Sequence, residues 1–185
     1  MEKFISIIKE FEGIIGALLG VIITMLMNEY LKEKGNIKYY FDNLTINYKA
    51  RGNYGNYMDV DKGEDYEGVE YRLDIQLYNT SESRKILRDI KLQFIGSEGT
   101  IEDIPKDRST ERVSGGISIR DSLKIININP KEIVEIKVGG SFYHFNCDDI
   151  NDIKKLNNIE KIYMIAKDSN DKKVKKLIKD YTKTS

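Results

Sequence analysis

The pattern of hydrophobic and polar residues changes abruptly along the chain. Near the N-terminus, residues 13–28 carry no charge and are almost entirely apolar, and Glu12 and Glu29 flank them. Sixteen helical residues are about 24 Å long, whereas a bilayer core of about 30 Å needs roughly 17–25 residues. Phe11 and Tyr30 extend the run at its two ends, and Tyr30 lies where interfacial aromatic residues are common. The pattern therefore predicts a single transmembrane helix.

Three other interpretations of this run are a cleavable signal peptide, a buried core helix and an in-plane amphipathic helix. A signal peptide has a basic start and a small-residue cleavage site, but this chain starts with mixed charge and continues with Met27, Asn28 and Glu29. A globular core helix or an in-plane helix carries a polar stripe, which residues 13–28 lack. The membrane span is therefore favoured.

After Gly35 and Asn36 the apolar positions recur every second residue, which is the period of a β-strand. The clearest strand covers residues 69–77, where five apolar or aromatic residues alternate with polar ones. Residues 37–41 and 44–48 alternate as well, and the slip of phase between them predicts a β-bulge or bend. Further strands are predicted at residues 90–94, 113–119, 124–129, 134–138, 141–145 and 161–167.

Two glycine pairs and two further segments depart from this regular alternation. We expect Gly115-Gly116 to interrupt one strand and Gly139-Gly140 to end another. Residues 148–156 repeat apolar positions every three residues and predict one short helix. Residues 172–176 are interpreted as the return strand of a C-terminal hairpin, although the spacing across residues 174–181 also fits a helix.

Short strands separated by turn signals are typical of an antiparallel β-sandwich. Strands and helices do not alternate, which argues against a parallel nucleotide-binding fold. The predicted fold class is mainly β: a single N-terminal transmembrane α-helix followed by an antiparallel β-sandwich with one short helix. We predict a membrane anchor with its flanks at residues 1–35 and the β-sandwich domain at residues 36–185.

Three stretches of the first half carry a resemblance to a known class of protein. They are IIGALLGVIITML at 14–26, KGNIKYYFDNLTINY at 34–48 and LYNTSESRKILRDIKLQF at 77–94. Their layout resembles that of small bacterial membrane-anchored proteins with one N-terminal hydrophobic helix and an immunoglobulin-like or C2-like β-domain. The resemblance implies a fold and a location, and it transfers no catalytic residue.

Composition argues against several classes of function. Thirty Lys and Arg residues balance thirty Asp and Glu residues, so there is no overall basic charge that predicts nucleic-acid binding. One Cys and one His exclude disulfide frameworks and most zinc sites. His144 and Cys147 lie three apart without an orienting third group, and no phosphate-loop or nucleophile-elbow motif occurs. We therefore predict a non-catalytic protein without a cofactor.

Acidic residues concentrate in one segment. Residues 59–70 contain six acids and one Lys, which gives a charge of −5. Such a loop offers oxygen ligands to calcium, and Asp148, Asp149 and Asp152 could add to them. The order of residues does not fit an EF-hand, so a solvated acidic loop is the favoured interpretation and no metal site is assigned.

The same segment is the best candidate for a binding surface. Residues 50–68 place tyrosines among Gly and Asn, and tyrosine offers a large contact area at low entropic cost. Long loops in compact domains are commonly functional. The predicted binding residues are Tyr54, Tyr57, Asp59, Asp61 and Tyr66.

The predicted membrane helix carries a stripe of small residues. Gly16 and Gly20 form a GxxxG pair that Thr24 continues, and such stripes let two helices approach closely. Self-association through this stripe is therefore an alternative source of function. Glycine is also common in membrane helices that do not associate.

Charges beside the predicted span suggest its orientation. Lys3 and Lys9 precede it, whereas Lys32, Lys34 and Lys38 follow it closely. The positive-inside rule then predicts a single-pass cell-membrane protein with its C-terminal domain in the cytoplasm. The favoured function is a membrane-tethered interaction module that binds an unknown protein or ligand. The alternatives are an oligomeric membrane-active assembly and, with no matched residues to support it, an enzyme.

Overall fold

The computed structural model describes residues 2–52, 55–62, 65–143, 153 and 155–183. One long helix, α1 (Glu2–Glu33), comes first, and a single 3₁₀ turn, Arg108–Thr110, lies between the sixth and seventh strands. The strands in chain order are β1 (Ile37–Arg51), β2 (Tyr57–Val60), β3 (Gly68–Asn79), β4 (Lys85–Gly96), β5 (Gly99–Asp103), β6 (Lys106–Asp107), β7 (Arg112–Ser114), β8 (Ile117–Ile119), β9 (Ile125–Ile128), β10 (Ile133–Tyr143), β11 (Ile159–Lys167) and β12 (Lys173–Asp180).

The strands form two antiparallel sheets and one small hairpin. The first sheet has the order β2-β1-β3-β10-β6, and the second has the order β12-β11-β4-β5 with β9 also paired to β4. Strands β7 and β8 form the separate hairpin. The predicted mainly β, antiparallel sandwich is therefore confirmed.

The core lies between the two sheets because alternate residues of the central strands point inward. In β3, for example, Leu73 and Leu77 are fully buried while Asp74 and Gln76 are half-exposed. The other main core residues are Val69, Tyr71, Ile75, Leu87, Ile90, Leu92, Phe94, Ile136, Val138, Phe142, Ile162, Met164 and Ala166.

Helix α1 leaves this core and packs against none of it. Its segment Phe11–Lys32 is apolar, with a mean hydropathy of 1.8, and yet none of that segment is buried. Twenty-two helical residues are about 33 Å long, which is enough to cross a bilayer core. The chain thus has one N-terminal helix that is apolar and long enough to span a membrane.

The end of α1 is attached to the turn that follows β3. The backbone carbonyl of Lys32 accepts a hydrogen bond of 3.1 Å from the backbone nitrogen of Glu82. Asn36 and Thr80 bind each other through their backbones and the threonine hydroxyl, at 2.8–3.1 Å. Gly35 has φ +137°, and a β-carbon there would lie 2.7 Å from backbone atoms of the turn. Hydrogen bonds and close contact therefore hold the helix end against the sandwich.

Asn79 organises that turn from inside. Its side chain is fully buried, and its amide nitrogen donates to the carbonyls of Ser83, Ile128 and Asn129 at 2.8–3.3 Å. Its amide oxygen accepts from the backbone nitrogen and the hydroxyl of Ser81, which is also fully buried. Every polar atom of the Asn79 side chain is thus paired, as a buried amide requires.

The sequence pattern predicted most of these strands, and the register explains two of its details. The expected bulge in β1 is confirmed, because pairing with β3 shifts between Asp42 and Thr45 and Asn43 has φ +52°. The expected C-terminal hairpin is confirmed as well, since β12 pairs with β11 along its length.

Three sequence expectations were wrong. Gly139-Gly140 does not end a strand, because β10 continues to Tyr143. Tyr71, Asp103 and Arg108 occupy the space that β-carbons at the two positions would fill. Gly115-Gly116 is the turn of the β7–β8 hairpin, and both residues have positive φ. Residues 50–68 are not one loop, because β2 pairs back onto the end of β1. The predicted helix at 148–156 lies mostly outside the described residues.

Candidate functional site

The predicted binding residues lie at the end of the sandwich that is remote from α1. Strand β1 begins beside the helix at Ile37, and Asp59 of β2 pairs with Lys49 twelve residues further along β1. At about 3.3 Å per residue this separates Asp59 from the helix end by about 40 Å. We call this end the distal surface and define it by Lys49, Tyr57, Asp59, Glu70 and Tyr143.

Side chains on the outer face of the first sheet form a connected network there. The Lys49 ammonium lies 2.8 Å from an Asp59 carboxylate oxygen and 3.7 Å from Glu70. The Tyr143 hydroxyl donates to Glu70 at 2.6 Å, and the rings of Tyr143 and Tyr57 are 4.7 Å apart. These residues share a face because they stand opposite one another in the register of β2, β1, β3 and β10.

The network affects proton binding by two of its members. The hydrogen bond with Asp59 is the main cause that raises the pKa of Lys49, and Glu70 adds to it. Burial is the main cause that raises the pKa of Tyr143, and the hydrogen bond to Glu70 adds to it. Lys49 therefore stays charged and Tyr143 neutral near neutral pH.

The Tyr143 ring also lies over Gly68, where a β-carbon would overlap with it.

A cleft of about 520 Å³ opens on the other side of β2, at the edge between the two sheets. Tyr48, Val60 and Tyr181 line its wall, and Asp59 and Asp61 lie at its rim. The cleft thus combines tyrosine rings with carboxylates, a set of groups that suits non-covalent binding.

The structure separates the predicted binding residues. Tyr57 and Asp59 share the outer face, and exposed Asp61 lies at the rim of the cleft. Tyr66 instead packs edge-to-face on Tyr48 at 4.9 Å and donates to the carbonyl of Ile153 at 3.3 Å. Burial raises the pKa of Tyr66 to about 12. Tyr54 lies outside the described residues.

Sequence reasoning missed three members of the distal surface. Lys49, Glu70 and Tyr143 belong to three different strands, and nothing in their local sequence distinguishes them from ordinary exposed residues. Only the strand register brings them together.

No cluster of metal ligands was found in the part of the chain that the structure describes. The search covered groups of three or more His, Cys, Asp or Glu residues. His144, Cys147, Asp148, Asp149 and Asp152, which the sequence singled out, lie outside the described residues.

The small-residue stripe of α1 is open along its length. β-Carbons placed on Gly16 and Gly20 would meet nothing within 4 Å. The Thr24 hydroxyl donates to the carbonyl of Gly20 at 2.7 Å, so it is satisfied within its own helix. The stripe is therefore free to contact a neighbour, and Thr24 does not require one.

Comparison with known proteins identifies the family. A family model described as the YopI Ig-like domain matches residues 35–179. The SPbeta prophage-derived uncharacterized protein YopI of Bacillus subtilis (strain 168) is 32% identical over 183 residues, which cover 98% of this chain and 100% of that protein.

Solved structures with low similarity were also found. An uncharacterized β-sandwich protein of Clostridium difficile 630 is 10% identical, with a TM-score of 0.34 over 77% of this chain and 85% of that one. The structural-genomics target SoR45 is 10% identical, with a TM-score of 0.39 over 80% of this chain and 85% of that one.

Proposed function

The chain belongs to the YopI Ig-like domain family, and from that premise we propose that it is a membrane-tethered, non-catalytic interaction module. In this proposal α1 anchors the protein in the cell membrane as a single span. The Ig-like domain stands in the cytoplasm and presents its distal surface to a protein or ligand.

The observation that carries the proposal is that the apolar helix α1 and the distal surface lie at opposite ends of the Ig-like domain. The Phe11–Lys32 segment is apolar and wholly exposed, a state that water disfavours and a bilayer favours. The turn after β3 holds its end by hydrogen bonds, so the helix leaves the sandwich from a fixed point. The distal surface then stands about 40 Å from the membrane.

The distal surface has the groups that protein interfaces favour. Tyr57 and Tyr143 supply ring area with few rotatable bonds, and Asp59 supplies an exposed charge at its edge. Because the strands hold these side chains in place, binding costs little conformational entropy.

Site-specific photo-crosslinking of the full chain in its own membrane tests this proposal. A photoreactive phenylalanine derivative replaces Asp61, beside the distal surface, or Asp171, an exposed acid in the β11–β12 turn near α1. We expect a discrete crosslinked species from position 61 and none from position 171. Tyr57→Ala in the same chain should weaken the crosslink at position 61 several-fold.

Two outcomes would contradict the proposal. Equal crosslinking from positions 61 and 171 would mean that contact is unspecific. A discrete species that Tyr57→Ala leaves unchanged, with the far-ultraviolet circular dichroism also unchanged, would mean that the distal surface is not the binding surface.

A second candidate function is an oligomeric membrane assembly held by α1. The observation that favours it is the open stripe of Gly16 and Gly20 on a helix with no partner in the monomer. Close helix packing in lipid depends on such small residues. Under this alternative the Ig-like domain regulates the assembly.

A further inference from the structure

A second cleft lies between the β7–β8 hairpin and the outer face of the first sheet. Its volume is about 320 Å³. Ser118 and Arg120 approach from the hairpin side, and Arg72 and Lys106 approach from β3 and β6. We call this space the basic cleft. Its remaining lining residues are Glu70, Tyr71, Gly139, Gly140 and Ser141.

The charges in the basic cleft are unbalanced. Three cations, Arg72, Lys106 and Arg120, face one carboxylate, Glu70, which leaves a net charge of +2 among the lining residues. Glu70 is already engaged, because Tyr143 donates to it and Lys49 lies 3.7 Å away. Among the lining residues the cations therefore outnumber the carboxylates.

The three cations have little to bind within the described residues. Arg72 and Lys106 make no side-chain hydrogen bond or ion pair there, although the charge of Lys106 partly opposes the rise that burial causes in the pKa of Asp103. Arg120 pairs with Glu111 at 2.8 Å through Nη2 only. Its Nε is the one shielded side-chain nitrogen or oxygen in the described part of the chain that has no partner. Such an orphan donor in a native protein calls for an acceptor.

The floor of the cleft is kept free of side chains. Gly139 and Gly140 lie in the middle of β10, where glycine weakens a strand and needs a reason. A β-carbon on Gly139 would lie 3.0 Å from the carbonyl oxygen of Tyr71 and 3.2 Å from Arg108. A β-carbon on Gly140 would overlap with Asp103 and with the Tyr71 hydroxyl. Gly139 thus leaves room on the outer face of β10 for the Arg108 side chain, and Gly140 leaves room on the inner face for Asp103 and Tyr71.

We propose that the basic cleft binds an oxyanionic group, a phosphate or a carboxylate, of a small soluble ligand. Guanidinium groups match the spacing of such oxygens, and Lys106 and the Ser141 hydroxyl complete the donor set. The group enters between the hairpin and the sheet, where it supplies acceptors for Arg72 and Arg120. This site goes beyond the proposed function and shares only Glu70 with the distal surface.

The position of the cleft argues for a soluble ligand over a lipid headgroup. Arg72 lies seven residues along β3 from Asn79, where the turn that holds α1 begins. That separation is about 23 Å, so the cleft stands well away from any membrane that α1 crosses.

Binding of inorganic phosphate and of citrate to the full chain in a neutral maltoside detergent tests the proposal. Isothermal titration at constant ionic strength, with chloride as the compensating anion, measures each affinity. We expect saturable binding of at least one of the two anions. Arg120→Gln and Lys106→Gln should each weaken it by about tenfold or more, because each removes a charge-assisted hydrogen bond. Arg120→Lys keeps the charge and should weaken it less.

Arg88→Gln is the matched control, since it removes one positive charge from an exposed ion pair with Asp171 on the other sheet. It should leave the affinity unchanged. Binding of phosphate alone or of citrate alone supports the proposal and identifies the group. Absence of saturable binding by both anions overturns it, as does an equal loss in Arg88→Gln. Arg72→Gln replaces Arg120→Gln as the test variant if the latter does not fold.

Discussion

At the scale of single residues, the most unusual group is the carboxyl of Asp103. It is largely buried, and it accepts a hydrogen bond of 2.5 Å from the Tyr71 hydroxyl. Burial is the main cause that raises the pKa of Asp103, while the Tyr71 hydrogen bond and the charge of Lys106 oppose the rise. Burial also raises the pKa of Tyr71 well above its usual value, so the phenol remains a donor. The domain therefore holds an ionised Asp103 at a cost to its stability.

This cost predicts a pH dependence. The raised pKa means that the folded state binds the Asp103 proton more tightly than the unfolded state, whose pKa is near 3.8. Stability from this group is present below about pH 3.8 and is lost as the pH rises through the raised pKa. The free energy of unfolding of Asp103→Asn, relative to that of the wild type, should therefore increase as the pH rises from 3.5 to 7. Urea denaturation at a series of pH values measures this difference.

A control with the opposite sign is available on the protein surface. Arg112 lowers the pKa of exposed Asp121, so the stability from Asp121 is lost as the pH falls. Relative to the wild type, Asp121→Asn should therefore lose a little stability as the pH rises. A pH-independent difference for Asp103→Asn would show that Asp103 is not perturbed in this way.

Asn79 is the residue on which the joint between helix and sandwich depends. Asn79→Ala removes three donated and two accepted hydrogen bonds from a fully buried position. We expect a loss of about 3 kcal/mol in the free energy of unfolding. Asn127→Ala, at an exposed position of β9, should change it by less than about 0.5 kcal/mol. A loss as small as that of the control would mean that the Asn79 network contributes no net stability.

At the scale of elements, alternation along a strand could be predicted wherever one face is buried and the other is wet. β3 is the clearest case, because its inward residues are apolar and its outward residues are polar. Alternation does not say which strands are neighbours. Lys49, Glu70 and Tyr143 therefore could not be assigned to one surface from sequence. Gly139 and Gly140 were misjudged because they lie against residues far away in the chain, Arg108 and Asp103 respectively.

The open stripe of α1 makes a prediction at the same scale. If Gly16 and Gly20 bring two helices together, Gly16→Leu and Gly20→Leu should abolish oligomers in detergent, because bulky side chains prevent close approach. Val21→Leu, elsewhere on the exposed helix, should leave them intact. Crosslinking and light scattering measure the oligomeric state. Oligomers that survive deletion of residues 1–35 would show that the helix does not cause them.

At the scale of the whole molecule, the attachment of α1 links the orientation of the helix to the compartment of every other surface. The distal surface and the basic cleft lie on the same domain, so both face the same side of the membrane. Lys32, Lys34 and Lys38 follow the apolar segment closely, whereas Lys3 and Lys9 precede it. A cytoplasmic domain satisfies the positive-inside rule.

Protease digestion of intact spheroplasts tests this orientation. A C-terminal tag should survive until the spheroplasts are lysed, because the domain is expected inside. Loss of the tag before lysis would place the domain outside and would direct the search for partners and anions to the cell surface. A tag that fractionates as soluble would show that α1 is not an anchor in the cell. In that case the exposed apolar surface of Phe11–Lys32 would need a protein partner to cover it, because none of this 22-residue segment is buried in the monomer.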